Sequence, residues 1–416
     1  IRMINVKKQL SLTPVQEFKG NWKRAVGNTI SPFSAAAYFF AKRLHKELNV
    51  PVGIIHASWG GTDIEAWNSR EQLNTLGFMS DVMDNYDKLV EDASKSNLWF
   101  SQFESAKSPS DVWYLFLEDP LGAPEKWKSF DFKDLDYITS SDIDYDNWKQ
   151  IELPGSIDNI FETNDFDGAI LIRKSFSLKE IKGIYYLSLG AVSDMDFTYI
   201  NGEKIGSSMG KLSRETKTYE IPTNILKVGV NNIIIRVVNQ YKEGNIGSIS
   251  LLSSESSSVD LTGTWNYRVS AEAYIPLESY SWPYIDFYFY DNESIDFSKR
   301  PVLAQLNKNS KSSLFNGMIN PLVPYNIKGT IWYQGENNVP RFKEYEQLFP
   351  ALITDWRNQW ARDFPFYFVQ IAPFEYHNGL SSSLRDAQRK TLKLPKTGMV
   401  VTLDIGEDND IHPSNK

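Results

Sequence analysis

Residues 328–338 read KGTIWYQGENN, and this stretch decides the expected fold class. The apolar run Ile331-Trp332-Tyr333 is typical of a buried strand, and the residues from Gln334 to Asn338 are polar apart from one glycine. In open α/β sheets, ligands bind at the carboxyl ends of the strands, where such side chains meet. The stretch therefore predicts a strand whose end carries functional groups.

The flanking segments alternate between helix and strand, as α/β proteins do. Residues 31–48 predict an amphipathic helix with Ser31 as its N-cap and Pro32 in its first turn. Residues 51–58 predict a buried strand that ends at Gly60-Gly61, before a second helix. The later elements are predicted as strands at 330–333, 366–372 and 398–405 and helices at 341–360 and 383–392, the last capped by Ser383.

Between about residues 126 and 268 the pattern changes to short β-rich runs separated by turns at about ten-residue spacing. Asn201-Gly202 is a strong two-residue hairpin signal within this region. Regularly spaced short strands are typical of a β-sandwich. We therefore predict an α/β domain formed by residues 1–118 and 271–416, interrupted by an inserted all-β sandwich at residues 119–270.

The composition excludes several classes of function. The 416 residues include 44 basic and 52 acidic side chains, with no long run of either sign, so nucleic acid is not an expected partner. The chain has no cysteine, which excludes thiolate metal sites and a cysteine nucleophile, and we expect neither a metal nor an organic cofactor. No apolar stretch approaches the ~20 residues of a membrane span.

Histidine is rare in the chain, and of the four residues His412 has the most unusual context, after a predicted strand and a GEDND loop. An imidazole there can act as a general base if a carboxylate holds its other nitrogen. Asp410 is the preferred carboxylate, and Asp404 is the alternative. The remaining histidines are interpreted as structural, although the third of them can line a pocket: His45, His56 and His377.

Two stretches containing glycine are candidates for holding a substrate. Gln334, Gly335 and Glu336 follow the strand directly, and an amide there can donate to a developing oxyanion while the carboxylate fixes it or binds a polar substrate. The backbone N–H of Gly61 can act as a second oxyanion donor. Each stretch can also be a simple turn, with Asp63 stabilising the N-terminus of the helix that follows.

Ser58 is the nucleophile that a Gly-x-Ser-x-Gly elbow would predict, because residues 56–60 lie between a strand and a helix. Here His56 replaces the first glycine of that motif, and its side chain is expected to clash with the sharp turn. We therefore do not assign Ser58 as the nucleophile. The predicted site then has a base and oxyanion donors but no attacking hydroxyl.

Together, these motifs resemble the sialate O-acetylesterase family, carbohydrate esterases of the SGNH hydrolase superfamily. The matching stretches are PVGIIHASWGGTDIEAW (51–67), LFNGMINPLVPYNIKGTIWYQGENN (314–338), YEQLFPALITDWRNQW (345–360), PFYFVQIAPF (365–374), LRDAQRKTL (384–392) and TGMVVTLDIGEDNDIHPSNK (397–416). Within the insertion, FDGAILIRKSF and LKVGVNNIIIRVVNQY resemble a galactose-binding-like domain. The resemblance implies a flavodoxin-like three-layer α/β fold interrupted by a jelly-roll sandwich.

By this resemblance, His412 matches the catalytic base, Gly61 (or Gly60) the oxyanion glycine, and Gln334-Gly335-Glu336 the third motif. The family's nucleophile lies in a Gly-Gln-Ser-Asn motif after the first strand, and these 416 residues contain no such motif. The resemblance thus implies a fragment, inactive alone, whose first strand and serine come from an upstream segment or a separate chain. The superfamily places its Asp three residues before the His, where Asn409 stands here, and this leaves Asp410 preferred.

The expected function is hydrolysis of acetyl esters on sugars through an acyl-enzyme, in a secreted or periplasmic protein. One alternative is a non-catalytic carbohydrate-binding protein with a degenerate esterase domain. The missing serine motif favours it, and the intact WYQGE and DIHP motifs oppose it. A further alternative, glycoside hydrolysis by paired carboxylates such as Glu65 and Glu336, requires a defined separation of the two groups.

Overall fold

A computed structural model describes residues 1–109, 123–140, 145, 147–161, 166–209, 215–240, 243–255, 258–274, 280–281, 285–291, 294–304, 306–374 and 379–407. The chain forms two compact units. The first consists of Ile1–Glu91, Leu277–Ser281 and Ala304–Lys416, and the second of Asp92–Pro276 and Trp282–Leu303. The second unit is therefore inserted into the sequence of the first.

The first unit contains two groups of parallel strands. In one group, Arg2–Asn5 runs parallel to Gly53–His56, and Lys23–Arg24 pairs antiparallel with Arg2–Asn5. The other group, the C-terminal sheet, has the order Thr330–Trp332, Phe366–Val369, Thr397–Val400. Parallel neighbours require crossover connections, and helices provide them in both groups. Gln9–Leu10 also pairs antiparallel with Tyr280–Ser281 in this unit.

One face of the C-terminal sheet is packed against the helix Phe342–Gln359. This helix buries residues at helical spacing, among them Phe349 and Trp356. The ring of Phe349 lies 4.9 Å from that of Phe368, and the ring of Trp356 lies 5.6 Å from that of Trp332. Alternate strand residues point to the other face and are exposed, which fixes the register of these short strands.

The longest helices are Ala35–Leu48, Ser80–Phe100 and Phe342–Gln359, and the other described helical segments have ten residues or fewer. The α-helices are Ala35–Leu48, Arg70–Asn74, Ser80–Phe100, Ala123–Lys128, Leu135–Thr139, Phe342–Gln359 and Ser381–Lys390. The 3₁₀ segments are Gly27–Thr29, Ile64–Trp67, Gly77–Met79, Asp158–Ile160, Thr223–Ile225, Phe297–Lys299, Asn320–Leu322, Glu336–Arg341 and Thr391–Lys393, and Phe315–Ile319 is a π-helix. Within the described residues, no helix has both the length and the apolar character to span a membrane.

The second unit consists mainly of two antiparallel sheets. The larger has the order Glu203–Met209, Met195–Ile200, Gly229–Asn239, Gly168–Leu178, Gly263–Tyr274, Asp286–Phe289, Ser105–Lys107, with Lys149–Leu153 also paired to Gly263–Tyr274. The smaller has the order Lys217–Ile221, Tyr185–Leu189, Ile249–Ser253, Val259–Asp260. Gly155–Ser156 pairs separately with Asn245–Ile246.

Both faces of the larger sheet are buried. One face shares a core with the smaller sheet, in which Ile172, Leu187 and Trp265 are buried. The other face carries Leu171 and lies in a second apolar cluster that contains Trp127, Phe132 and Phe197. Burial on both sides explains why Gly168–Leu178 is apolar at consecutive positions instead of alternating. The predicted insertion, 119–270, lies within this unit, and the flanking strands Ser105–Lys107 and Asp286–Phe289 extend its larger sheet.

The hairpin predicted at Asn201-Gly202 is present, and both residues have positive φ (52° and 88°), as a tight turn of this type requires. The strand Arg2–Asn5, in contrast, was not predicted. Only its two central residues are apolar and buried, so the sequence shows too short a pattern to indicate a strand.

Several predicted element ends were wrong, and one of them is the strand predicted at 366–372, which ends at Val369. The first helix begins after Ser34, whose hydroxyl accepts a hydrogen bond from the backbone N–H of Ala37, so Ser31 is not its cap. Ser383 lies inside the helix Ser381–Lys390 and does not cap it. The last strand ends at Val400 and not at residue 405, because the N–H of Gly406 turns back to the carbonyl of Thr402.

A buried ion pair in the second unit gives a test of this packing. Arg236 lies on the larger sheet, and Asp134 accepts from its Nε at 2.9 Å. Replacing Asp134 by Asn leaves the buried guanidinium uncompensated, so we expect the free energy of unfolding to fall by about 3 kcal/mol in urea denaturation. The exposed pair Lys182–Glu180 in the same unit is the control, and Glu180→Gln should change stability by less than about 0.5 kcal/mol. Equal effects of the two variants would contradict the assignment.

Candidate functional site

The polar residues after the first strand of the C-terminal sheet include a glycine, Gly335, whose backbone angle and close neighbours disfavour any side chain. Gly335 has φ 154°, and a Cβ on it would lie 2.8 Å from Ile371 Cγ2 and 2.8 Å from Leu384 Cδ2. Real Cβ atoms do not approach other atoms so closely. The chain can therefore bend here and start the 3₁₀ segment Glu336–Arg341 close to the helix Ser381–Lys390.

Gln334 links this bend to the loop that follows Gly61. Its Nε2 donates to the backbone carbonyl of Thr62 at 2.9 Å and to Asn338 Oδ1 at 2.8 Å. Both amide N–H groups are thus used inside the protein, whereas Oε1 is buried without a hydrogen-bond partner among the described residues. In this arrangement the side chain of Gln334 offers an acceptor, and the donor expected for an oxyanion has to come from another group.

The asparagines that follow complete the connection between the two loops. Asn338 Oδ1 accepts from the backbone N–H of Ile64 at 2.9 Å, and its Nδ2 donates to Glu65 Oε2 at 2.9 Å. Asn337 donates to the carboxylate of Asp63, which makes no side-chain cap to the helix that follows it. The structure thus brings the glycine turn and the Gln334–Glu336 stretch together, although 272 or more positions separate their bonded residues.

The glycine turn itself carries a nearby cation. Gly61 has φ 65°, a backbone conformation that favours glycine, and a Cβ there would lie 2.9 Å from Lys308 Nζ. The same Nζ donates to the carbonyl of Gly60 at 2.9 Å. A positive charge therefore lies at the turn that was expected to supply the backbone oxyanion donor.

Glu65 is fully buried and is the electrostatic centre of this region. Its carboxylate bonds to Asn338 and to Arg341, and Lys311 Nζ lies 3.4 Å from Oε1. Burial alone would raise the pKa of Glu65, but Lys311, Arg341 and Asn338 outweigh it and hold the pKa below its usual value. The general acid of a glycosidase needs a raised pKa, so this geometry opposes the alternative in which Glu65 is one of two carboxylates that hydrolyse a glycoside.

Gln388 is a part of the site that sequence analysis missed. It is completely buried, its Nε2 donates to the backbone carbonyl of Gln334 at 3.2 Å, and its Oε1 accepts from the N–H of Ile371 at 3.0 Å. It therefore ties together the ends of two neighbouring strands. The available signal was an amide on the apolar face of a helix, four residues after Leu384 and one after Ala387.

The expected catalytic pair, His412 and Asp410, lies outside the described residues, and so does His377. Asp404 is exposed in the turn after the strand Thr397–Val400. His45 contacts the carbonyl of Val50 through Nδ1 at 2.6 Å, in keeping with a structural role. Within the described ranges, no group of three or more His, Cys, Asp or Glu residues is placed to hold a metal ion.

The predicted clash between the side chain of His56 and the turn at Ser58 was wrong. His56 is the last residue of an extended strand, and its ring does not clash with the turn, because Nε2 lies 2.6 Å from the hydroxyl of Ser58. The elbow template assumes a sharp strand-to-helix turn at the serine, whereas here no helix begins until Ile64, six residues later.

The Glu65 cluster predicts a pH-dependent stability. With the pKa of Glu65 lowered on folding, its stabilising contribution is present above the ordinary glutamate pKa and is lost as the pH falls through the lower folded value. Arg341→Met should therefore lower the free energy of unfolding by about 3 kcal/mol at pH 7, and the deficit should shrink below about pH 4.

Urea denaturation across that pH range measures this difference. Arg389→Met, which breaks the exposed pair Arg389–Asp386 in the same unit, is the control and should cost less than about 0.5 kcal/mol. A deficit in Arg341→Met that stays constant down to about pH 3 would refute the role of Glu65.

Three comparisons relate the chain to known proteins. Residues 303–416 match the family model described as "Carbohydrate esterase, sialic acid-specific acetylesterase". The chain is 31% identical over 148 residues to sialate O-acetylesterase of Mus musculus, covering 30% of this chain and 27% of that protein. It is 33% identical over 132 residues to sialate O-acetylesterase of Homo sapiens, covering 25% of this chain and 24% of that protein. The chain thus spans about a quarter of the length of the curated relatives it matches.

Among solved structures, a carbohydrate acetylesterase from Xanthomonas citri aligns with a TM-score of 0.42 and 19% identity, over 100% of this chain and 45% of that one. The stretch 303–416 contains the Gln334–Glu336 bend, Arg341 and the position of His412. The resemblance drawn from the sequence motifs is confirmed over residues 303–416, which match the model of that family.

Proposed function

We propose that the complete protein is a carbohydrate O-acetylesterase, which removes acetyl groups from O-acetylated sugars. The observation that carries the proposal is the family match over residues 303–416, which includes the bend at Gln334-Gly335-Glu336 and His412. Support comes from the hydrogen bonds between this bend and the glycine turn, because the family's site draws on both stretches. The proposed fold is a flavodoxin-like SGNH domain carrying a jelly-roll insertion, which the parallel sheets of one unit and the facing antiparallel sheets of the other support.

In the proposed mechanism a serine attacks the acetyl carbonyl and its proton passes to His412. That serine belongs to a Gly-Gln-Ser-Asn motif, which these 416 residues do not contain. The imidazolium then protonates the departing sugar oxygen, which leaves as a hydroxyl, and water hydrolyses the acyl-enzyme with His412 again as base. Asp410, or Asp404 in its place, would hold the other ring nitrogen.

The contacts of Gln334 refine the proposed stabilisation of the oxyanion. Because both of its amide N–H groups are already donated, the backbone N–H of Gly61 is the better donor. Gln334 and Asn338 would act by holding the turn that carries Gly61 against the end of the strand. A donor fixed before the substrate arrives costs no reorganisation during the reaction.

The proposal predicts that His412→Ala in the complete protein lowers the rate of acetate release by about three orders of magnitude or more. Acetylated sialic acid, acetylated xylan and p-nitrophenyl acetate are suitable substrates, and released acetate is the readout. His45→Ala is the control, because His45 lies at a helix end and should leave the rate unchanged. Normal turnover by His412→Ala on all three substrates would overturn the assignment.

A pair of further variants decides which carboxylate orients the base. Asp410→Asn and Asp404→Asn are compared under the same conditions, and the orienting residue is the one whose loss lowers kcat with little change in KM. A small effect of both variants would show that neither carboxylate holds His412.

A further inference from the structure

Three residues at the carboxyl end of the N-terminal pair of parallel strands lie in hydrogen-bond contact. Asn5 and His56 are the last residues of Arg2–Asn5 and Gly53–His56 and are direct partners in the register. Direct partners on neighbouring strands place their side chains on the same face of the sheet. The N–H of Val6 donates to the carbonyl of His56 at 2.9 Å, so the pairing continues to the strand ends.

The contacts form a continuous relay from an amide to a hydroxyl. Asn5 Oδ1 lies 3.1 Å from His56 Nδ1, and His56 Nε2 lies 2.6 Å from Ser58 Oγ. Since a carbonyl oxygen can only accept, Nδ1 must carry the ring proton and Nε2 must carry the lone pair. The hydroxyl of Ser58 therefore donates to Nε2, which is the contact between nucleophile and base that serine acylation requires.

The surroundings of His56 keep its imidazole neutral, and the hydroxyl of Ser58 is accessible to solvent. Phe33 packs its ring edge against the imidazole, with 5.3 Å between the ring centroids. Burial lowers the pKa of His56 below its ordinary value of 6.5, so the ring is neutral at about pH 7 and can accept a proton. Ser58 itself is exposed. Two cations from other segments contact the adjoining turn: Lys308 Nζ donates to Gly60 O at 2.9 Å, and Lys8 Nζ lies 5.3 Å from the ring centre of Trp59.

We propose that Asn5, His56 and Ser58 form an activated serine that reacts with acyl esters. Ser58 Oγ forms a bond to the acyl carbonyl carbon as its proton moves to His56 Nε2. The tetrahedral intermediate then expels the alcohol, which takes that proton and leaves an acyl group on Ser58. Water releases the acid in the reverse proton sequence, with His56 as base.

This inference goes beyond the proposed esterase function and does not depend on it. The proposed esterase uses His412 and a serine outside these residues, whereas the relay uses only residues of the N-terminal parallel strands and the turn after them. The two ideas can therefore fail separately.

A fluorophosphonate probe, which reacts with activated serine hydroxyls and loses fluoride, tests the proposal on the full chain. We expect peptide mass spectrometry to locate the label on Ser58, and Ser58→Ala to lose it. His56→Gln should label at least about 100-fold more slowly, because the base is absent. The matched controls are Ser382→Ala, at an exposed serine of a helix in the same unit, and His45→Gln, and neither should change the rate.

The pH profile separates catalysis by His56 from simple packing. The labelling rate should be constant above about pH 7 and reach half its maximum below pH 6.5, since the pKa of His56 is lowered. Asn5→Asp keeps an acceptor at Nδ1 and adds a negative charge, so the half-maximum should move to higher pH. A labelling rate that does not depend on the ionisation of His56 would show no such shift.

Because the chain has no cysteine, Ser58→Cys provides an independent test if another variant fails to fold. The thiol should react with iodoacetamide at about pH 6 at least about 10-fold faster than it does after His56→Gln is added, since the imidazolium stabilises the thiolate. The proposal is overturned if the probe labels other residues but not Ser58, or if His56→Gln changes neither rate. Loss of acetate release in His412→Ala with Ser58 still labelled would support both ideas.

Discussion

A carboxylate buried as completely as that of Glu65 is stable only when donors surround it, and its partners Lys311, Asn338 and Arg341 all come from the later part of the chain. Sequence separations of 246 to 276 positions lie between them. Doubling the length of the intervening chain costs only about 0.6 kcal/mol of closure entropy. An unpartnered buried charge costs about 3 kcal/mol or more. Because the electrostatic cost exceeds the cost of closing the longer chain, the contacts of Glu65 persist although the second unit is inserted into the sequence between the two halves of the first.

The same requirement for partners fixes the geometry of the neighbouring loops. Gln334 uses both amide donors on Thr62 and Asn338, and Gln388 uses its amide on the ends of two strands. Buried amides with fixed partners hold the backbone around them in one arrangement. In the proposed active site these side chains would position the chain and leave backbone N–H groups to meet a substrate oxygen. This division of roles suits a turn such as Gly60-Gly61 better than it suits the glutamine.

Local patterns predicted the elements better than their ends. The Asn201-Gly202 turn follows from the backbone that two positive φ angles demand, and the strand before it follows from the aromatic and β-branched residues 197–200. The cap at Ser34, in contrast, depends on where the packed helix begins, and the last strand stops at Val400 because of a turn at Thr402. These are tertiary effects that a single sequence does not carry.

The sequence likewise predicted which segments form the candidate site, but not all of the side chains that hold them. The motifs indicated that the glycine turn and the Gln334 bend belong together, and their hydrogen bonds join them. The partners that hold them, Arg341 and Gln388, were not predicted, because arginine and glutamine side chains lie mostly on the solvated surface and the apolar helix face around Gln388 was not considered. The prediction for Ser58 compared it with a motif that has a sharp strand-to-helix turn at the serine, although no helix follows Ser58 directly. The contact between Ser58 and His56 was therefore missed.

How strongly a histidine can act as a base depends on whether an amide or a carboxylate holds its other ring nitrogen. Asn5 fixes the tautomer of His56 through its oxygen but carries no charge to stabilise the imidazolium that forms when Ser58 attacks. Hydrogen bonds to an ionised acceptor are roughly twice as strong as neutral ones. Burial also lowers the pKa of His56. For both reasons, proton transfer from Ser58 to His56 is less favourable than proton transfer from a serine to a histidine that is paired with an aspartate. The relay at Ser58 is therefore suited to reaction with activated acyl groups, whereas a sugar acetate, with its poor leaving group, demands the charged partner that Asp410 or Asp404 would give to His412.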